Sequence, residues 1–333
     1  MLMLAGCSTE SPKTGTPTDG GGTSAPAATA AKTVAPGTKA KIAFVTNNSS
    51  DYWTIARKGV EAAQKDPALA ANADVDFIMP GEGTAAQQKT LVEDEVTKGV
   101  IGIAISPVDP ANQTEWINDL VSRGITVVTQ DSDAPTSKRI CYIGTDNHAA
   151  GVNAGNEIKK ALPNGGKIVL FVGKSDAQNA KDRIGGITDA LKGSNITILD
   201  TKTDDADHAR AKANAADVLT ANPDLAAEVG IWSYNGPAIL SAVKDANKVG
   251  KVKIVCFDEE DDTLAGIKSG AISATIVQQP YQFGFDGVKL LSDIVHGDKS
   301  KVPANGTNYI DTQVINQSNV DAFKVKLAGL RGK

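Results

Sequence analysis

Residues 41–65 read KIAFVTNNSSDYWTIARKGVEAAQK, and the fold of the whole chain can be inferred by extending this unit. Its first part, 41–46, is a short apolar run of β-forming side chains, which predicts a buried strand. Residues 52–65 have helical spacing, because Ile55, Val60 and Ala63 fall on one face of a helix. A buried strand followed by a helix is half of a βαβ unit, the arrangement that builds parallel sheets.

The same alternation continues along the chain and restarts after residues 142–147. Further buried strands are predicted at 75–79, 101–106, 125–130, 167–172, 196–201, 229–233, 252–258 and 274–278. Helices are predicted at 85–98, 112–123, 180–192, 209–221, 237–246, 263–269 and 282–296. Two such sets in tandem predict an α/β protein with two doubly wound parallel-sheet lobes. The length of 333 residues agrees with two domains of roughly 150 residues each.

The N-terminal residues 1–38 are expected to lie outside both lobes. Of the 31 residues from 8 to 38, 26 are Ser, Thr, Pro, Gly or Ala, and Val34 is the one larger aliphatic residue among them. Such a segment buries too little apolar surface to offset the entropy of ordering, so it is expected to be a disordered tether. Leu4-Ala5-Gly6-Cys7 resembles the lipobox of bacterial lipoproteins, which implies lipidation at Cys7. A chance cysteine is the alternative, since the basic and most of the apolar signal region are absent.

Composition and charge exclude several classes of function. The net charge is −5, and the Lys and Arg residues form no basic stripe, so nucleic-acid binding is not expected. No apolar run approaches the 18–20 residues of a membrane span. Three His and three Cys, scattered along the chain, predict no metal site, and the absence of GxGxxG and GxxxxGK[ST] motifs predicts no nucleotide cofactor.

The candidate binding residues follow the predicted strands, because doubly wound sheets bind ligands at the carboxyl ends of their strands. The segments concerned are rich in Asp, Asn, Gln, Arg and aromatic residues: 47–53, 131–134, 145–147, 173–183, 234–236, 258–261 and 278–281. Carboxylates, amides and a guanidinium form hydrogen bonds with polar groups of a ligand, and aromatic rings stack on its apolar faces.

These segments resemble, in order and spacing, the periplasmic sugar-binding proteins of ABC importers, in particular the ribose-binding type. The resemblance covers residues 39 to about 333. The matching fragments are 42–46 with Tyr52 and Trp53, 125–131, 142–147 with Gly151, 180–186, Asn235, 256–258 and 274–280. Each fragment alone is a weak signal, but seven in the correct order are a strong one.

The resemblance implies two lobes, 39–145 plus 279–308 and 146–278 plus 309–333, joined by crossings near 145–147, 278–280 and 308–311. It implies a binding protein, without cofactor, that captures a small sugar between the lobes and delivers it to an ABC permease and ATPase. The protein would be a monomer on the outer side of the bacterial cytoplasmic membrane, attached only by a lipid anchor. The ligand residues expected are Thr46, Ser50, Tyr52, Trp53, Asp131, Thr145, Arg183, Asn235, Asp258 and Gln278.

Several of these residues also have structural interpretations. Asp131, Asp258 and Asn235 could cap helices that follow their strands, Arg183 could be a solvated charge, and Trp53 could belong to the core. Ser132 stands where the ribose binders carry Arg, and Ala206 stands where they carry an aromatic residue, so the sugar need not be ribose.

Three other functions are weaker interpretations. An enzyme would need an activated nucleophile, and no G-x-S-x-G motif is present. A lac-repressor-type regulator would need a helix-turn-helix before the core, which residues 8–38 cannot form. A sensor that presents its sugar to a membrane receptor would use the same cleft as an importer, so the sequence does not separate these two.

Overall fold

The computed structural model describes residues 30–35, 37–50, 52–175 and 177–332. The strands are β1 (Ala40–Val45), β2 (Ala73–Ile78), β3 (Gly102–Ile105), β4 (Thr126–Gln130), β5 (Cys141–Gly144), β6 (Gly166–Val172), β7 (Ile196–Thr203), β8 (Leu225–Gly230), β9 (Lys253–Phe257), β10 (Ala274–Val277), β11 (Thr307–Tyr309) and β12 (Gln313–Asn316). The helices are α1 (Tyr52–Lys65), α2 (Pro67–Ala70), α3 (Ala85–Thr97), α4 (Pro110–Ser122), α5 (Asn147–Ala161), α6 (Gln178–Leu191), α7 (His208–Ala221), α8 (Asn235–Asp245), α9 (Asp261–Lys268), α10 (Pro280–Val295) and α11 (Val320–Arg331).

The strands form two sheets of six with the same spatial order. The first sheet has the order β11-β5-β4-β3-β1-β2, and the second has the order β12-β10-β9-β8-β6-β7. Within them β12 pairs antiparallel with β10, and the other pairs are parallel. The predicted α/β class with two doubly wound lobes is confirmed. We call the first sheet with its helices the first lobe, and the second sheet with its helices the second lobe.

The chain passes between the two sheets three times: after β5, after β10, and between β11 and β12. The last passage lies slightly later than predicted, because β11 occupies Thr307–Tyr309 and the connection to β12 covers residues 310–312. The exact lobe boundaries remain a prediction.

Each sheet is covered by helices on both faces, which is why its central strands are almost wholly buried. One helix pair in each lobe packs with its backbones in contact, α1 with α10 and α5 with α6. A Cβ atom at Gly59 would lie 1.9 Å from the carbonyl oxygen of Tyr281, and one at Gly151 would lie 2.2 Å from that of Arg183. Glycine is required at both places because no side chain fits between the helices. This packing fixes α1 and α6, which carry candidate site residues.

One predicted strand of the second lobe was wrong in its boundaries. The strand predicted at 229–233 is β8, which begins four residues earlier and ends at Gly230. β8 contains Glu228, a charged residue that is fully buried. This residue interrupts the apolar pattern from which the strand was predicted.

The expectation that all of 8–38 stays clear of the lobes fails for its last residues. The Lys32 N–H donates to the Gly124 carbonyl (2.8 Å) and the Val34 N–H to the Val295 carbonyl (3.0 Å). The Val34 side chain packs against the core of the first lobe. The single large aliphatic residue of the segment thus attaches it to the body.

Candidate functional site

The two sheets place an aspartate at the same point of each lobe. Asp131 follows β4 and Asp258 follows β9, strands that hold equivalent positions in the two sheet orders. Both residues have left-handed backbone conformations, with φ of 60° and 65°. The Asp131 N–H donates to the Ile143 carbonyl (3.1 Å), and the Asp258 N–H donates to the Ile276 carbonyl (2.9 Å). No helix begins within two residues of either aspartate, so neither is a helix cap.

The Asp131 carboxylate is held by side chains of the first lobe on both oxygens. The Tyr52 hydroxyl donates to Oδ1 (3.0 Å) and the Ser106 hydroxyl donates to Oδ2 (3.1 Å). Asn47 Nδ2 donates to the Ser106 hydroxyl (3.1 Å), and Trp53 Nε1 donates to Asn47 Oδ1 (3.0 Å). A chain of hydrogen bonds therefore runs from the core to the cleft-side carboxylate and fixes its orientation.

The Asp258 carboxylate is connected to the passages between the lobes instead. Gln278 Nε2 donates to Asp258 Oδ1 (3.0 Å), and the Thr145 hydroxyl donates to Gln278 Oε1 (3.1 Å). Thr145 follows β5 and Gln278 follows β10, so this bond joins the first two passages. A rotation of one lobe against the other would act directly on this contact.

Arg183 is a buried cation held by groups of the second lobe. Its side chain is 2% exposed, which excludes a solvated helix face. Nε donates to Asn147 Oδ1 (2.9 Å), Nη1 donates to the Ile231 carbonyl (2.8 Å), and the guanidinium lies 4.4 Å from the ring centroid of Phe257. Burial raises the pKa of both aspartates, and the positive charge of Arg183 opposes this rise.

The ionised forms of the two aspartates are not fully stabilised by the groups around them. Burial raises the pKa of Asp131 to about 6, even though the Tyr52 hydroxyl and the Arg183 charge favour its ionised form. Burial also raises the pKa of Asp258, against the opposing effect of Arg183. Burial raises the pKa of the Tyr52 phenol as well, so it remains a hydrogen-bond donor. Ligand donors would supply the stabilisation that the two carboxylates lack.

Asn235 is wholly buried, and both ends of its amide are used within the second lobe. Nδ2 donates to Asp204 Oδ2 (3.0 Å), and Oδ1 accepts from the Trp232 N–H (3.0 Å). The Tyr234 hydroxyl donates to the other oxygen of Asp204. Its amide makes no cap at the start of α8. In this conformation Asn235 shapes the loop after β8.

The other predicted ligand residues differ in their surroundings. Trp53 is 1% exposed and packs in the core of the first lobe. This is the core position that was the alternative to a ligand contact in the sequence analysis. Thr46 is buried and its hydroxyl donates to the Asn48 carbonyl (2.6 Å), whereas Ser50 is exposed and its N–H donates to Asn48 Oδ1 (2.8 Å). Cys7 lies outside the described residues.

Sequence reasoning missed the role of Ser106 and gave no specific role to Asn47 or Asn147. Ser106 was placed inside the predicted strand 101–106, but β3 ends at Ile105, so Ser106 belongs to the cleft-side set. Asn47 and Asn147 lie in the segments after β1 and β5 that the sequence did single out. Their polar side chains, directly after a buried strand, were the available signal.

A family model described as a periplasmic binding protein domain matches residues 42–299. The chain belongs to this family. The resemblance drawn from the sequence fragments is thereby confirmed at the level of the family.

Two curated relatives of this periplasmic binding protein carry sugar names. The D-allose-binding periplasmic protein of Escherichia coli (strain K12) is 29% identical over 254 residues, which are 74% of this chain and 81% of the relative. The ribose import binding protein RbsB of Bacillus subtilis (strain 168) is 25% identical over 270 residues, which are 81% of this chain and 86% of the relative.

A solved structure is similar over most of the chain. It is an ABC transporter solute-binding protein from Burkholderia graminis C4D1M in complex with D-arabinose. The superposition has a TM-score of 0.79 at 28% sequence identity and covers 86% of this chain and 98% of the other.

Two further features of this periplasmic binding protein concern membranes and metals. Over the described part of the chain, every helix is too short or too polar to cross a membrane. The His, Cys, Asp and Glu side chains of the same residues form no group of three or more that could hold a metal ion.

Proposed function

We propose that the chain is an extracytoplasmic substrate-binding protein that holds a small sugar between its lobes and delivers it to an ABC importer. The sugar is a pentose, a hexose or a related polyol. The protein binds and releases this ligand unchanged, and it is not an enzyme.

One observation carries the proposal: two aspartates follow equivalent strands, one in each lobe, and both have the same left-handed backbone geometry, while Arg183 is buried in the second lobe. A carboxylate accepts from two neighbouring hydroxyls, and a guanidinium donates in a fixed direction. Ligand contacts made by both lobes also give a reason for the ligand to close the cleft. The allose, ribose and arabinose in the names of the related proteins are ligands of the same chemical class.

The proposed ligand set is Asp131, Asp258, Arg183, Gln278, Thr145 and Tyr52, with Thr46 and Ser50 from the segment after β1. Trp53 and Asn235 are retained as positioning residues, since Trp53 orients Asn47 and Asn235 orients Asp204. A site with this many fixed polar groups discriminates among epimers, because a misplaced hydroxyl leaves a buried group unpaired at about 1–3 kcal/mol.

Attachment and assembly follow the sequence motifs. The protein acts as a monomer on the outer side of the cytoplasmic membrane, held there by a lipid on Cys7, and its partner is the permease and ATPase of the importer. Cys7→Ser should release the mature protein from the membrane fraction, provided that a complete signal sequence directs its export.

The ligand is identified by thermal unfolding of the full chain with pentoses, hexoses and polyols. A ligand that binds only the folded state stabilises it by RT ln(1 + [L]/Kd), about 2.7 kcal/mol at a hundredfold excess over Kd. Hits are confirmed by calorimetry, with Asp131→Ala as the non-binding control. If no sugar of the panel raises the unfolding temperature, the proposed ligand class is wrong.

Closure is tested by small-angle scattering of the same samples. The radius of gyration should fall when the bound sugar brings the lobes together. An unchanged radius at saturating sugar would contradict a closing cleft while leaving the binding result intact.

A further inference from the structure

A second cavity, of about 270 Å³, lies on the side of the lobe passages and is lined by both lobes. Ile55 of α1 and Tyr281 of α10 line it from the first lobe, and Phe323 and Leu327 of α11 line it from the second. Gln278 also lines it, while its amide contacts Asp258 and Thr145 of the candidate sugar site. The cavity therefore shares a wall with the candidate sugar site, and its walls belong to both lobes.

Glu259 gives this mainly apolar cavity an acidic group. It is 4% exposed, and among the described residues its Oε2 atom has no hydrogen-bond partner. Arg331 is the neighbouring cation, but its Nη1 donates to Asp261 (2.7 Å) and its Nη2 to the Glu259 main-chain carbonyl (3.2 Å). Burial and the adjacent Asp258 raise the pKa of Glu259 to about 8, against the opposing effect of Arg331.

We propose that this cavity is a second ligand site, which takes a small primary amine with an apolar body. The ammonium group supplies the donor and the positive charge that the Glu259 carboxyl lacks. The apolar body packs against Ile55, Phe323 and Leu327, and the glutamine amides around the cavity orient the molecule. The volume of 270 Å³ is about nine times the roughly 30 Å³ that a water molecule occupies in the liquid, so a single ring fits.

The probe is benzylammonium, titrated into the full chain by calorimetry without sugar, with benzyl alcohol as the uncharged comparison. We expect saturable binding of one benzylammonium per chain and much weaker binding of the alcohol. Leu327→Trp fills the cavity and should abolish binding. Val325→Trp is the matched control, because Val325 lies on the same helix with 76% of its surface exposed. It should bind like the wild type.

Charge variants test the ligand class independently of cavity filling. Glu259→Gln should weaken benzylammonium binding by about tenfold or more, the effect of losing a charged hydrogen bond. Lys326 also lines the cavity and its positive charge opposes the amine, so Lys326→Met should tighten binding. Asp131→Ala should leave the amine affinity within about twofold, because that carboxylate belongs to the other site.

The proposal is overturned if the wild type shows no saturable binding, or if the alcohol binds as tightly as the amine. Equal binding by Leu327→Trp, folded by circular dichroism, also overturns it. Loss of amine binding in Asp131→Ala would place the amine in the sugar cleft and likewise contradict the proposal. Since these titrations contain no sugar, their failure is independent of whether the proposed sugar function is correct.

Discussion

The two lobes have the same strand order and place Asp131 and Asp258 with the same backbone geometry. Even the hydrogen bonds to the aspartate carbonyls correspond: the Tyr142 hydroxyl of β5 donates to Asp131 (2.9 Å), and the Thr275 hydroxyl of β10 donates to Asp258 (2.7 Å). The backbone position of the site is thus a property of the fold, repeated in each lobe.

The side chains around the two aspartates are different. In the first lobe the Ser106 hydroxyl donates to the Asp131 carboxylate. The residue at the equivalent position after β8 is Ile231, which has no polar side chain and accepts a hydrogen bond from Arg183 with its main-chain carbonyl. The equivalence follows from matching hydrogen bonds, from the Ser106 N–H to the Val45 carbonyl and from the Ile231 N–H to the Phe171 carbonyl. Asp131 is consequently fixed within its lobe, whereas Asp258 depends on Gln278. The fold decides where a carboxylate lies, and the local residues decide how it is held.

The largest expected effect is on stability, and it comes from a difference between corresponding strands of the two sheets. By strand register, Glu228 of β8 occupies the place that Ile103 of β3 has in the first lobe. Glu228 is fully buried and neither carboxyl oxygen has a hydrogen-bond partner in the described chain. Burial raises the pKa of Glu228 from 4.5 to about 8, against the weaker opposing effect of Lys248.

Because the pKa of Glu228 is raised in the folded state, Glu228 makes its full contribution to the free energy of unfolding below pH 4.5. This contribution is lost as the pH rises through about 8. At about 1.36 kcal/mol per pH unit, the loss by pH 9 is on the order of 5 kcal/mol. Urea unfolding of the wild type should therefore show a falling free energy between pH 5 and 9. Glu228→Gln and Glu228→Ile should remove the part of this pH dependence that comes from Glu228 and leave the parts that come from Glu259 and Asp131.

The control is Glu157→Gln in α5, since Glu157 is 8% exposed but paired with Lys160 (2.6 Å). It should keep the pH dependence of the wild type. A wild-type curve that is flat up to pH 9 would mean that Glu228 has found a partner or a route to water.

The second prediction compares the two aspartates directly. Asp131→Ala should weaken sugar binding by on the order of a hundredfold or more, because it removes charged hydrogen bonds worth about 1.5–3 kcal/mol each. Asp258→Ala should do the same and should also free Gln278, so the ligand-free lobes should sample a wider range of openings. Calorimetry gives the affinities, and scattering of the ligand-free variants gives the openings. Near-wild-type affinity of either variant would remove that aspartate from the site.

The third prediction is the pH dependence of sugar binding. The Asp131 pKa of about 6 means that its carboxyl takes up a proton as the pH falls through that value, and the group then accepts fewer hydroxyls. Sugar affinity should fall by up to about tenfold per pH unit below pH 6. In Asp131→Asn binding should be weak, and this step near pH 6 should be absent. If the sugar affinity of the wild type stayed the same between pH 8 and pH 5, this result would contradict the protonation of Asp131.

The smallest effect is expected from Ser106→Ala, which makes the first lobe resemble the second at this position. Losing one hydroxyl donor should weaken sugar binding by about fivefold. Because the Ser106 hydroxyl lowers the Asp131 pKa, its loss should also move the pH midpoint of binding upward. Ser122→Ala, on the exposed face of α4, is the matched control. A fivefold loss without a shifted midpoint would indicate a packing effect.

The sequence was sufficient to predict the alternation of elements and the positions of Asp131 and Asp258 directly after their strands. It did not reveal α5, because Gly151 and Gly155 weaken its helical pattern and the helix depends on contact with α6. The short strands β11 and β12 were also missed, since each pairs with a strand distant in sequence. The partners of Asp131 required knowing which strands are neighbours, and spacing along the chain does not contain that information.

The attachment of residues 32 and 34 decides at which edge of the first sheet the described chain begins. Their hydrogen bonds reach Gly124, which precedes β4, and Val295, which ends α10. Both contacts lie at the edge where the strands begin, opposite the edge that carries the aspartates. The described start of the chain therefore joins the first lobe on the side away from Asp131, and it leaves the surroundings of that carboxylate to residues that follow β1, β3 and β4.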